Sequence, residues 1–305
     1  MTNKQKVFSG IGGIGTLLCI VLFIAQPSFP TPDKLLVFAI FVGMFFRQGK
    51  QVFLRLAPFV AMLLAYESFR GLVPHMTERA NFMWMPGVDR ILTGGGELPT
   101  KILQNWWWQG SAQWWDFMFY LPYMLHFVLP FGLAVIVWKT REKEYWRYVT
   151  AFVGASLLAF LVFFVFPAAP PWMASDTGAI EQISRISSSV WFALGINDFP
   201  SLYNQVSPNP VAAVPSLHAA YATMFALFVT MFFKSKWRFV AWIYPVLIYV
   251  GTVYQGEHYV IDEVLGALLG LFAFWASPLV SQKIGIALNI VKAKVLALKN
   301  QQISG

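Results

Sequence analysis

Apolar residues in this chain come in long runs and do not alternate with polar ones. A helix that crosses a membrane needs about 20 mostly apolar residues. Runs of that kind fall at roughly 7–26, 34–46, 53–69, 117–138, 148–167, 217–233, 239–255 and 260–280, the second being the shortest. Polar residues gather between them, and the two longest connections are 70–116 and 168–216. The pattern predicts an all-α polytopic transmembrane helix bundle of about eight spans. Lys4 and Lys6 precede the first run as they would in a secretory signal. That run is long, however, and no A-x-A-like cleavage site follows it, so it reads as a retained span.

Composition agrees with the pattern. Of the 305 residues, 57% are hydrophobic and 12% charged, whereas a soluble domain carries about 25% charge. This excludes a disordered chain and argues against a soluble enzyme. The single cysteine, Cys19, lies inside an apolar run and has no partner for an internal disulfide. The net charge of +8 does not mark a nucleic-acid surface, because the basic residues are scattered between spans. They follow the spans instead. With eight crossings, one side holds Lys4, Lys6, Arg47, Lys50, Arg55, Lys139, Arg141, Lys143, Arg147, Lys234, Lys236, Arg238, Lys283, Lys292, Lys294 and Lys299, against only Glu142 and Glu144. The other side holds the remaining acids. By the positive-inside rule the basic side, with both termini, is cytoplasmic. The chain divides into N-terminal spans (1–58), a membrane core (59–281) and a tail (282–305). The tail reads equally as a basic amphipathic helix on the inner leaflet or as a solvated end.

Candidate chemistry collects on the opposite, outer face. The first long connection carries Arg70, His75, Arg79, Asp89, Arg90 and Lys101, then Trp106, Trp107, Trp108, Trp114 and Trp115. The tryptophans read as an interfacial belt, with stacking on a substrate as the alternative. Thr93-Gly94-Gly95-Gly96-Glu97 lacks the G-K-[ST] ending of a phosphate loop and reads as a turn. His126, mid-run, reads as a buried core histidine. His218 follows Pro215-Ser216 at the start of the sixth run, and His258 precedes the eighth. The sixth run goes in and the seventh comes back out, so both histidines end at one membrane depth. His258 and Asp262 share a helix face at i and i+4. The carboxylate there can hold one ring nitrogen and leave the other free as a nucleophile. Pro215-Ser216 fits a helix start, whose free N–H groups suit a phosphate. An H-x-x-x-D pair also forms half of a metal site, but no further histidine or cysteine cluster completes one.

At these residues the sequence resembles the type 2 phosphatidic acid phosphatase superfamily. Pro215-Ser216-Leu217-His218 is similar to its second motif, P-S-G-H, with leucine for glycine. Gly256-Glu257-His258-Tyr259-Val260-Ile261-Asp262 is similar to the H-x-x-x-D end of its third. Ala169-Pro170-Pro171-Trp172, Tyr66 to Arg70 and Val88-Asp89-Arg90 resemble the inositol phosphorylceramide synthase branch. The resemblance is specific over roughly 165–270 and looser over 60–130. The first motif, K-x6-R-P, is missing: the sequence has no Arg-Pro pair. The third motif's Ser-Arg falls at Gly251 and Thr252. The synthase branch also tends to lack these basic residues, which leaves the phosphate clamp unassigned.

The resemblance implies a membrane lipid phosphotransferase or phosphatase without cofactor or metal. His258 would form a phosphohistidine, Asp262 would hold its ring, and His218 would act as general acid and base. Ser216 and backbone N–H groups would stabilise the phosphoryl oxygens, with Arg70, Arg90 and Arg185 as candidate phosphate ligands. The partners would be a membrane lipid donor and a lipid or water acceptor. Headgroup transfer is one outcome of a covalent phosphoenzyme and simple dephosphorylation of a lipid phosphate is the other. A transporter is the rival class, although no repeated half or paired broken helix supports it. The expected location is a bacterial plasma membrane, multi-pass, with the active site on the non-cytoplasmic face.

Overall fold

A bilayer offers backbone groups no hydrogen-bonding solvent, so apolar runs become helices. The computed structural model describes residues 3–25, 32–68, 73–126, 128–195 and 209–304, and among them it contains no strand. The first three helices are α1 (Asn3–Ala25), α2 (Pro32–Phe45) and α3 (Gly49–Ser68). Short helices α4 (Val73–Glu78), α5 (Trp84–Leu92) and α6 (Pro99–Trp107) fill the first long connection. Then come α7 (Trp114–Leu125), α8 (Leu129–Thr140) and α9 (Glu142–Val165). The second connection holds α10 (Pro171–Asp176) and α11 (Ile186–Ala193), and α12 (Leu217–Phe232), α13 (Ile243–Tyr254) and α14 (Val260–Ser304) complete the chain.

Three described helices are long and apolar enough to cross a membrane: Gln5–Ala25, Glu142–Val165 and Val260–Ala287. The bent pair α7 and α8 makes a fourth if it is one span. This is fewer than the eight apolar runs suggest, and the reason is local. The 117–138 run breaks after Leu125 and restarts with Pro130 in the first turn of α8, where a missing N–H costs nothing. The 239–255 run begins as a 3-10 helix, Lys236–Trp242, and leaves α13 only 12 residues. The outward side chains of α1, α9 and α14, including Ile14, Leu17, Leu161, Val165, Phe272 and Trp275, are exposed. Apolar helices with such outer faces make the chain an integral membrane protein.

Lipid is as apolar as leucine, so helices in it associate through close packing. The centre of the bundle shows how. α12 packs along α14, with α9 and α13 beside it. A Cβ on Gly266 would stand 2.2 Å from the Ser216 carbonyl oxygen, and one on Gly270 would stand 2.6 Å from that of Ala220. Glycine one turn apart on α14, facing Ala219, Ala220 and Thr223 on α12, lets the two backbones touch. Around this seam the core is aromatic: Phe228 meets Tyr148 and Phe274 edge-on at 5.0 and 4.9 Å. A second cluster, Tyr120, Tyr123, Ile186, Trp191 and Tyr254, joins α7, α11 and α13.

Candidate active site

The close seam between α12 and α14 sets two helix starts side by side. Ser216 caps α12, its Oγ accepting from Ala219 N at 3.2 Å. Its own N–H donates to the Asp262 carbonyl oxygen at 3.1 Å, tying the start of α12 to the first turn of α14. His218, in the first turn of α12, thereby faces His258. Its Nδ1 lies 3.2 Å from His258 Nε2. On the far side of the His258 ring, Nδ1 stands 3.5 Å from Asp262 Oδ2. His258 and Asp262 are buried, at 5% and 0% exposure, and His218 is half-buried. The i and i+4 reading therefore has its geometric counterpart, with His258 just ahead of the helix that carries Asp262.

The ring of His218 is braced on its other side. Tyr123 stacks on it at 4.6 Å, and His126 lies 4.1 Å away between His218 and Tyr221. His126 is buried, as expected, but it sits where α7 ends, against the histidine pair. Nothing in its local sequence signals this contact.

The backbone before His258 is equally constrained. Gly256 has φ +78°, and a Cβ there would stand 2.9 Å from the Ser184 carbonyl oxygen. A left-handed conformation in so tight a place calls for glycine. The N–H groups of Glu257 and His258 both donate to the Thr252 carbonyl oxygen, at 3.0 and 3.2 Å. Gln104 clips this segment to the second connection: its amide donates to the Ser184 and Tyr254 carbonyl oxygens and accepts from Ser184 N–H.

Two acids that the sequence left without a role shape the site. Asp89, fully buried on α5, accepts from Val260 N and Ile261 N at 2.8 and 3.0 Å. It is the N-terminal cap of α14, supplied from 171 residues away. Burial pushes its carboxyl up to about 6, with the two N–H groups opposing and Asp262 adding to the rise. Glu257, beside His258, binds Arg185 Nε at 2.9 Å and accepts from Ser187 Oγ.

The candidate phosphate ligands are placed unevenly. Arg185 lies over the Trp172 ring at 4.0 Å while paired with Glu257, next to the histidines. Arg90 pairs with Glu181 and donates to the Gly96 carbonyl oxygen at 2.7 Å. Burial works against the charge of Glu181, yet Leu98 N–H and Arg90 hold its carboxyl below the ordinary range. Arg70 lies outside the described residues. Of the tryptophans, Trp107 stacks on Phe119 and meets Tyr254 edge-on, while Trp106 and Trp114 are exposed. The glycine-rich stretch is a turn, with Gly94 and Gly95 at positive φ. Among the described residues no cluster of three His, Cys, Asp or Glu side chains is arranged to hold a metal ion.

With the geometry in hand, the profile of the PAP2 superfamily matches residues 99–276. The chain belongs to the PAP2 superfamily. Among relatives of known name, this PAP2 chain is 29% identical to the phosphoinositol dihydroceramide synthase of Bacteroides thetaiotaomicron, over 79% of its own length and 83% of the relative's. It is 27% identical to the inositol phosphorylceramide synthase catalytic subunit AUR1 of Saccharomyces cerevisiae, over 86% of its own length and 65% of that protein's. Among solved structures, Aquifex aeolicus LpxE matches 58% of the chain at 17% identity with a TM-score of 0.44.

Proposed function

We propose that this PAP2 protein is a lipid headgroup phosphotransferase of the inositol phosphorylceramide synthase type. It moves a phosphoinositol group from a membrane phospholipid to the hydroxyl of a ceramide-type lipid. The observation that carries this reading is the line Asp262–His258–His218, with 3.5 Å between carboxylate and ring and 3.2 Å between the rings.

Asp262 holds a proton on His258 Nδ1, which leaves a lone pair on Nε2. That nitrogen attacks phosphorus, a P–N bond forms and the P–O bond to the leaving alkoxide breaks. His218, as imidazolium, gives its proton to the departing oxygen and becomes neutral. In the second half the acceptor hydroxyl gives its proton to His218, its oxygen attacks phosphorus and the P–N bond breaks. The N–H groups in the first turn of α12, where His218 sits, suit the phosphoryl oxygens. Arg185 is the candidate phosphate ligand nearest the pair, and Arg70 and Arg90 belong to the outer connections that would receive the headgroup.

The alternation of basic and acidic connections supports the finer placement: eight crossings, both termini cytoplasmic and the histidines on the non-cytoplasmic face of a bacterial plasma membrane. The divisions 1–58, 59–281 and 282–305 follow from it. The site's own groups suffice for the steps above without a metal or cofactor.

The test is product analysis in liposomes holding phosphorus-labelled phosphatidylinositol, with and without ceramide. Label should move to a new lipid only when ceramide is present, and His258→Ala should abolish this. Label released only as water-soluble inositol phosphate would make the protein a hydrolase of the donor and not a transferase. Transfer retained in His258→Ala would overturn the phosphohistidine scheme.

A further inference from the structure

The end of the bundle opposite the histidines holds a second, unexplained feature. α9 is 24 residues long, or about 36 Å at 1.5 Å per residue. Its last turn leads to Ala168, which packs with Val214 and Tyr259 beside the histidines. Its first turns carry Glu142 and Tyr145 at the other end. There, between α2, α3, α8 and α9, lies a cavity of about 420 Å³.

Its wall is apolar: Phe38, Val42, Leu56, Ala134, Val135 and Trp138. Arg55 and Lys139 line it as well. Lys139 is exposed, lies over the Trp138 ring at 3.9 Å and reaches only the neutral amide of Gln48. Arg55 pairs through Nη2 with the exposed Glu142, while its buried Nη1 has no hydrogen-bond partner. Arg47, Arg141 and Lys143 add positive charge at this end. Arg55 lines the cavity, and its buried Nη1 lacks an acceptor. The exposed ammonium beside it calls for an anion.

We propose that this cavity binds an anionic phospholipid, one acyl chain between α2, α3 and α8 and the phosphate against Arg55 Nη1 and Lys139 Nζ. The volume fits part of an acyl chain, the cations match a phosphate, and the outer surface at this level faces lipid. The site is a lipid-binding site separate from the histidine pair and independent of the reaction assigned to it. An acyl chain alone would account for the apolar wall but leaves Arg55 Nη1 without an acceptor and Lys139 without an anion.

The test uses the full chain in detergent, given phosphatidylglycerol or phosphatidylcholine, with retained lipid counted by native mass spectrometry. The wild type should retain phosphatidylglycerol in preference. One cation near a phosphate is worth about fivefold in affinity, so Lys139→Gln should weaken retention by about that factor. Val135→Trp, which fills the cavity from its exposed lip, should remove the bound lipid. Lys139→Gln alters an exposed side chain outside the packed core, so its readout does not depend on refolding the bundle. Equal retention of the two lipids would overturn the proposal, leaving an apolar crevice with no headgroup selectivity. Preference unchanged in Lys139→Gln, or retention unchanged in Val135→Trp, would overturn it too, by placing the lipid elsewhere. Phosphotransfer is not the readout, so failure here leaves the proposed reaction untouched.

Discussion

His218 Nδ1 and His258 Nε2 are 3.2 Å apart although 40 residues separate them in the chain. At rest one N–H is shared between two nitrogens, and the lone pair needed for attack is the one engaged. In the proposed reaction a phosphorus atom enters between the rings, which would place His218 beside the leaving oxygen once the bond to His258 forms. Tyr123 and His126 pack against the His218 ring, at 4.6 and 4.1 Å.

His218→Ala should therefore lose about 10²–10⁴ in kcat with a lipid donor, the usual contribution of a positioned acid. The loss should shrink with a donor whose leaving group is a nitrophenol, because that group departs without a proton. Single-turnover kinetics with both donors checks this. An equal loss with the two donors would assign His218 to positioning alone.

The seam between α12 and α14 sets the nitrogen-to-nitrogen distance. Gly266→Ala puts a Cβ where the Ser216 carbonyl oxygen stands, at 2.2 Å, and the start of α12 must move away with His218. Overpacking of this kind costs about 1–3 kcal/mol, and a 1 Å misplacement of a catalytic group costs about a hundredfold in rate. Gly132→Ala on α8 meets nothing within 4 Å; it should leave activity unchanged and stabilise its helix by up to about 1 kcal/mol. Melting temperature and turnover of the two variants, side by side, give the comparison.

Much of this was readable in the sequence, and the boundary is physical. Ser216 and His218 were legible as a helix start, and His258 and Asp262 by their short spacing, although His258 lies just ahead of the helix, while the in-and-out path of two helices fixes depth. Asp89 capping α14, Gln104 clipping the 184 and 254 carbonyls, and Glu257 occupying Arg185 were not. Each joins segments at least 70 residues apart, and a local pattern carries no trace of such a pairing. The helices also fell where apolar runs lay, but a hydropathy window does not register the break after Leu125 or the 3-10 start ahead of α13. Eight runs therefore became three or four full-length spans among the described residues. Gly266 and Gly270 stood in plain view, four apart, yet only the facing Ser216 and Ala220 backbones give that spacing its meaning.

Asp89 predicts a pH dependence of stability. Its folded value, pushed up to about 6 chiefly by burial, lies above that of a free carboxyl near 4. Between the two the folded chain holds a proton that the unfolded chain has released. The contribution of Asp89 is thus fully present in acid and is lost as pH rises through about 6. Desolvation outweighs the two N–H bonds from Val260 and Ile261. In detergent, the melting temperature of the wild type should decline from pH 4.5 to 7.5 relative to Asp89→Asn, which cannot ionise. Parallel curves would show that the two effects cancel, and a wild-type curve rising with pH that the N–H bonds win.

Arg185 joins two roles that one double variant separates. Its guanidinium neutralises Glu257, which is 5% exposed, and it lies over Trp172 beside the histidines. Arg185→Gln leaves a buried carboxylate unpaired, which costs about 3–5 kcal/mol. Adding Glu257→Gln removes that charge and should restore most of the lost melting temperature. It should not restore substrate binding if Arg185 holds the phosphate. A hydrogen bond to a charged group is worth about 1.5–3 kcal/mol, so KM for the phospholipid donor should stay at least tenfold above wild type in both variants. Recovery of KM along with stability in the double variant would confine Arg185 to holding Glu257 and leave the phosphate to the N–H groups at the start of α12.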